Sequence, residues 1–184
     1  MGKLIVTEFI TLDGVIEEPR WSFDFSRGEE GDDFKANELK AAEVQLLGRV
    51  TYEGFAAAWP SMGHDWFGEK MNNMPKYVVS NTLSDEDASW TNSTVIRGDA
   101  PAGIAELKER VPGEILVAGS AQLVGTLAEN DLVDEYRLML YPLVLGAGKR
   151  LFAEGTARTR LRLVDTKPVG LDGVLVLTYA PSRG

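Results

Sequence analysis

The 184-residue sequence predicts a mixed α/β fold whose sheet is parallel in its middle and antiparallel at its C-terminal end. Three observations predict it. β-Branched runs alternate with helical patterns as far as Glu129. After Glu135, strand patterns follow one another with no helix between them. The short apolar runs of the first two thirds end in Gly or Ser, residues that carry a buried strand into a tight turn. No repeat, low-complexity tract or linker divides the chain, so residues 1–184 read as a single domain.

Residues 3–10 (KLIVTEFI) have the β-branched and aromatic content of a strand. Thr11-Leu12-Asp13-Gly14 turns the chain into a long polar and aromatic loop through Trp21, Phe23 and Phe25. Phe34, Leu39 and Ala42 recur near the helical period, which predicts a helix over 32–42, opened by the carboxylate pair Asp32-Asp33. Residues 44–47 fit a short buried strand, and Gly48-Arg49-Val50-Thr51 leads into a helix over 52–59 that Pro60 stops. Residues 76–80 (KYVVS) form the next strand and end in the turn residues Asn81 and Thr82. A strand over 94–96 and a helix over 104–111 follow; a strand over 114–118 then passes through Gly119-Ser120 into a helix over 121–129. The last strands are 135–141, 160–166 and 174–179, the final two a hairpin around 168–173. Junctions near Gly48, Ser80 and Gly119 are thereby expected to pass from strand to helix along the carboxyl edge of the sheet, where open α/β folds bind ligands.

Composition removes several kinds of chemistry. There is no cysteine, so thiolate catalysis, disulfides, iron–sulfur clusters and cysteine zinc sites are excluded, and His64 is the only histidine. That histidine lies in a Gly-His-Asp-Trp loop without the surroundings of a hydrolase nucleophile. With 19 basic and 28 acidic residues the net charge is −9, which argues against a nucleic-acid surface built on clustered Lys and Arg. No apolar run approaches the roughly 20 residues of a membrane span, and no signal pattern opens the chain. These features fit a soluble cytoplasmic protein whose reactive group is borrowed.

Three segments carry candidate chemistry, each beside a plainer explanation. At Gly48-Arg49-Val50-Thr51, glycine admits close backbone approach, the helix start offers free N–H groups to an anion, and Arg49 adds charge. A strand end with a Thr51 cap and a solvated Arg49 would read the same way. Gly119-Ser120-Ala121-Gln122 makes similar room for a pyrophosphate, or is a tight turn with Ser120 as N-cap; it is not the GxGxxG of classical dinucleotide folds. Ser80-Asn81 with Arg97 is a nucleotide-side turn or an ordinary one. Asp13 and the pair Asp32-Asp33 are candidate substrate-contacting acids, although turns and helix starts favour these residues anyway. Trp21, Phe23, Phe25, Trp59, Trp66 and Phe67 either close over a flat heterocycle or cover a dimer interface.

Taken in order, Thr11-Leu12-Asp13-Gly14, Leu46-Leu47-Gly48-Arg49-Val50-Thr51-Tyr52-Glu53, Tyr77-Val78-Val79-Ser80, Val117-Ala118-Gly119-Ser120-Ala121-Gln122-Leu123 and Pro142-Leu143-Val144-Leu145-Gly146-Ala147-Gly148 resemble the dihydrofolate-reductase-like superfamily. The chain most resembles the reductase (RibD C-terminal) domain of the riboflavin-biosynthesis deaminase–reductase and its stand-alone relatives. The resemblance spans nearly the whole chain. It implies a dihydrofolate-reductase-like three-layer α/β/α fold, NADPH as cofactor and a homodimer. It further implies that Gly48, Arg49, Val50 and Thr51 bind phosphate, that Ser80 and Asn81 face the adenosine, and that Arg97 meets the 2′-phosphate. Gly119, Ser120, Ala121 and Gln122 would hold the pyrophosphate and nicotinamide side, where the family's Gly-Gly pair, joined by a cis peptide in dihydrofolate reductases, reads Ala118-Gly119.

The implied activity is NADPH-dependent hydride transfer to a small polar heterocycle, of the kind performed by 5-amino-6-(5-phosphoribosylamino)uracil reductase. The competing expectation is a catalytically silent nucleotide-binding or dimeric module of the same fold, and a third is a true dihydrofolate reductase.

Overall fold

A computed structural model describes residues 1–182. Its centre is an eight-stranded sheet in the order β4-β3-β2-β5-β1-β6-β8-β7. The strands are β1 (Lys3–Thr11), β2 (Ala42–Gly48), β3 (Lys76–Val79), β4 (Ser93–Ile96), β5 (Glu114–Ala118), β6 (Glu135–Tyr141), β7 (Leu161–Val169) and β8 (Val174–Pro181). The first six in chain order run parallel, whereas β8 is antiparallel to both β6 and β7, as the sequence predicts. The helices are α1 (Gly28–Ala41), α2 (Arg49–Ala58), α3 (Trp66–Asn73), α4 (Ala100–Arg110) and α5 (Ala121–Glu129).

Two apolar clusters bury the faces of the sheet. On one, Leu39 of α1, Tyr52 of α2 and Met71 of α3 pack with Ile5, Leu47 and Val78. On the other, Ile104 and Leu107 of α4 and Leu123, Val124 and Leu127 of α5 pack with Leu4, Val6 and Ile115. The result is the three-layer α/β/α arrangement. The layering follows from right-handed crossovers: β1→β2→β3 steps towards one edge and β4→β5→β6 towards the other, so the two sets of helices take opposite faces. Connections leave the neighbours β2 and β5, and the neighbours β1 and β5, in opposite directions. That is the topological switch at which such sheets open a crevice beyond their carboxyl ends.

Several expectations need correction. The helix expected over 32–42 begins at Gly28, so Asp32 and Asp33 lie in its second turn and Glu29 and Glu30 occupy the first. No helix follows Ser80: a loop carries the chain directly from β3 into the parallel strand β4. The aromatic loop contains a 3-10 helix, Pro19–Asp24, and α3 was not anticipated at all. Asp65 starts α3 by accepting the Gly68 N–H, while Gly68 and two asparagines weaken its helical pattern.

Candidate functional site

The turns after β2 and β5 meet at the switch and are fastened to each other. The Gly48 N–H donates to Ser120 Oγ at 2.9 Å, and the Ser120 N–H donates to Thr51 Oγ1 at 3.0 Å. Thr51 therefore does not cap its own helix; Gly48 is the N-cap of α2. Ser120 stands at the N-cap of α5 without a side-chain cap bond, its hydroxyl spent on the neighbouring turn. Gly119 and Ser120 are both left-handed, at φ +59° and +62°. A Cβ on Gly119 would lie 3.0 Å from Thr51 Oγ1 and 3.1 Å from Thr51 Cγ2, so glycine is required by conformation and by space. All peptide bonds of the described residues are trans, Ala118-Gly119 included. Ala121 is half-buried and Gln122 exposed in the first turn of α5, and Val50 is exposed beside Arg49.

Arg49 stands at the first position of α2, and among the described residues its guanidinium pairs only with the exposed Glu53, at 3.3 Å. A cavity of about 430 Å³ opens alongside, lined by Arg49, Tyr52 and Glu53 of α2 and by Thr82, Leu83 and Asp87 of the β3–β4 loop. Its size is within the range of small-molecule sites. Ser80 and Asn81 shape this loop: Ser80 Oγ accepts the N–H groups of Thr82 and Leu83, and Asn81 Oδ1 accepts that of Gly98. Arg97 crosses the loop, donating to the Leu83 carbonyl at 2.7 Å and pairing with Asp85 at 2.9 Å. Arg49 and the Ser80 loop thus border one hollow.

The three candidate acids are placed differently. Asp13 accepts hydrogen bonds from Thr11 Oγ1, Leu145 N and Gly146 N, which fasten the loop after β1 to the loop after β6. The Thr11 hydroxyl and those amides hold its carboxyl down at about 2, so it is a carboxylate at neutral pH. Asp32 is exposed and pairs with Arg27 at 2.6 Å. Asp33 is also exposed, because α1 turns Gly31, Glu38 and Leu39 inward instead.

What α1 does bring to the sheet is a lysine and a glutamate. Lys35 Nζ donates to Thr7 Oγ1 at 2.8 Å and to Glu38, whose Oε2 also accepts from Thr7 Oγ1 at 2.9 Å. Glu38 Oε1 lies 4.0 Å from Arg137, without a hydrogen bond. Arg137 is held by both oxygens of Glu114 and by Glu135, which in turn pairs with Lys3 at 2.7 Å. Burial pushes Glu135 upward, but the hydrogen bonds from Lys3 and Arg137 outweigh it and leave the carboxyl below its ordinary range. Nearer the carboxyl edge, the Arg27 and Lys35 cations each lie 5.4 Å from the ring centre of Phe9. Trp21 and Phe25 pack edge-on against Tyr141 at 5.4 and 5.7 Å. Trp59 and Phe67 pack on each other, whereas Phe23 and Trp66 stay exposed.

Glu8 was also missed. It is 6 % exposed and its Oε1 has no hydrogen-bond partner; burial pushes its carboxyl well above the ordinary range, opposed by the Gly119 backbone and Lys35. Its signal was present in the sequence: it interrupts the inward alternation Leu4, Val6, Ile10 with a carboxyl.

Two interlocked βα turns at the switch point of a parallel-centred sheet define the candidate site. Residues 2–175 match the family described as RibD C-terminal domain, and the chain belongs to that family. It is 31% identical over 170 residues to the Bacillus subtilis protein YwjB, covering 91% of this chain and 92% of that one. The crystal structure of a putative riboflavin biosynthesis protein from Shewanella sp. PV-4 is similar in fold, with a TM-score of 0.79, 21% identity, and 98% and 99% of the two chains covered. Dihydrofolate reductase from Enterococcus faecalis complexed with NADP(H) superposes with a TM-score of 0.65 at 18% identity, covering 98% and 97%. No helix of the described residues is long and apolar enough to cross a membrane.

Proposed function

We propose that the protein is an NADPH-dependent reductase acting on a small polar heterocycle, similar to the pyrimidine reductases of riboflavin biosynthesis. The carrying observation is the fastening of the Gly48–Thr51 turn to the Gly119–Ser120 turn at the switch point, with Arg49 beside it. The residues present fit a phosphate-bearing dinucleotide: Gly119 where a Cβ would crowd the cradle, backbone amides at two helix starts, and Arg49 and Arg97 as positive points. Gly48, Arg49, Val50 and Thr51 would hold phosphate, and Gly119, Ser120, Ala121 and Gln122 the nicotinamide half. Ser80 and Asn81 would shape the adenosine wall, with Arg97 next to the 2′-phosphate. When bound, the cofactor supplies the hydride, which a chain lacking cysteine and nearly lacking histidine does not.

The chain's own residues position and hold charge. Phe9, backed by the buried Tyr141, and Lys35 offer a flat apolar face and a cation to a polar ring. Asp13 keeps the loops after β1 and β6 together around it, and Asp32 acts through Arg27, whose guanidinium lies over Phe9. Asp33 is assigned no contact. We place this activity in the cytoplasm and in a homodimer; the exposed Leu163 and Val164 of the edge strand β7 support the dimer. Titration of NADPH by fluorescence against wild type and Arg49→Ala tests the reading. Binding that weakens about tenfold in the variant supports it, since a charge-assisted phosphate contact contributes about 1.5–3 kcal/mol. Absence of binding to the wild type refutes it.

A further inference from the structure

We propose that Glu53 makes the site accept NADH as well as NADPH: its carboxylate takes a hydrogen bond from a bare ribose 2′-hydroxyl and repels the phosphate that replaces it. The inference rests on the cofactor reading above and names the residue that sets preference at the adenosine end. Arg49 and Glu53 stand one turn apart on α2 and line the same hollow, together with Thr82 and Asp87 of the β3–β4 loop. Arg49 Nη1 donates to Glu53 Oε1 at 3.3 Å, and both side chains are 48 % exposed, so a ligand in the hollow can reach either partner.

The positive charge around this hollow is already matched. Glu53 pairs with Arg49, and Arg97 is held by Asp85 at 2.9 Å and by the Leu83 carbonyl at 2.7 Å. Asp87 adds a further carboxylate, fixed by the Ser84 hydroxyl at 2.6 Å. Two guanidinium groups therefore meet three carboxylates. A site built for the 2′-phosphate alone would present its arginines without counter-ions. Here a phosphate on the Arg49 guanidinium has the Glu53 carboxylate as its immediate neighbour, and that like-charge repulsion offsets much of what the arginine contributes. A 2′-hydroxyl meets the opposite response, because it donates to a carboxylate, the contact by which dinucleotide folds read an unphosphorylated ribose. An exposed pair of this kind adds little to folding, so Glu53 leaves Arg49 at small cost and serves the ligand instead.

Calorimetric titration with NADPH and with NADH tests this, both at an ionic strength of about 0.1 M because salt screens charge contacts. The two affinities of wild type are expected to lie within about tenfold of each other. In Glu53→Gln the amide neither repels the phosphate nor offers a charged acceptor to the hydroxyl. NADPH then binds tighter and NADH weaker, and their ratio shifts towards NADPH by about fivefold or more. Arg49→Ala shifts the ratio the other way. A loss of helix stability alone would move both dinucleotides together and leave the ratio where it was. A shift below about fivefold in Glu53→Gln, or a wild type that prefers NADPH by more than about tenfold, overturns the Glu53 assignment and leaves the cofactor reading standing. Failure of wild type to bind either dinucleotide overturns both.

Discussion

Replacing Gly119 by alanine isolates the join between the two turns. At φ +59° an L-residue costs about 1 kcal/mol relative to glycine. The new methyl would meet Thr51 Oγ1 at 3.0 Å and Cγ2 at 3.1 Å, inside the usual separation, which adds about 1–3 kcal/mol of overpacking. The sum, about 3 kcal/mol, corresponds to a fall in Tm of about 6–12 °C for a chain of this length. Thr51→Ala removes the acceptor of the Ser120 N–H and is expected to cost about 1–2 kcal/mol alone. In the double variant the overpacking disappears, so the losses combine to about 1–2 kcal/mol less than their sum. Denaturant unfolding of the four proteins measures this coupling directly. Gly119→Ala within about 0.5 kcal/mol of wild type, or strictly additive losses, would refute the proposed crowding.

Other perturbations separate binding from folding. Arg49→Ala is expected to weaken NADPH about tenfold yet shift stability by less than about 0.5 kcal/mol, since its ion pair with Glu53 is exposed; calorimetric titration and unfolding curves check the two halves. Lys76 shows the reverse: fully buried, lowered by burial to about 8, it donates to the carbonyls of Asn72, Met74 and Thr91. Lys76→Met should cost about 3 kcal/mol in denaturant unfolding and leave NADPH affinity unchanged. Asp13 titrates near 2 when folded against 3.8 otherwise, so its contribution is present above 3.8 and lost as pH falls towards 2. Hydrogen exchange should show Leu145 and Gly146 amides losing protection over that window, and losing it at neutral pH in Asp13→Ala.

The strands and both glycine turns were legible because β-branched runs and glycine after a buried strand each have a local cause. The change from parallel to antiparallel strands followed from where helices stop appearing in the sequence, and the three-layer order from the family resemblance. What stayed hidden was decided by tertiary contacts. Asp32-Asp33 resembled a helix start because short acids favour caps, but α1 starts earlier, at Gly28 behind Arg27, with no side-chain cap. Ser80 resembled a strand-to-helix junction, although its hydroxyl folds the loop back on Thr82 and Leu83. Thr51 and Ser120 looked like local caps, while each in fact serves the other's turn across 69 residues. Lys35 and Glu38 carry no local signal in the sequence, and only their packing on Thr7 brings them inside.

A crystal structure of the protein with NADPH bound tests the central claim most directly. The account predicts phosphates against the first-turn amides of α2 (Arg49, Val50 and Thr51) and α5 (Ala121 and Gln122), Arg49 on a phosphate, and the nicotinamide beside Gly119. A cofactor seated elsewhere, or absent at concentrations that saturate reductases of this fold, would contradict it.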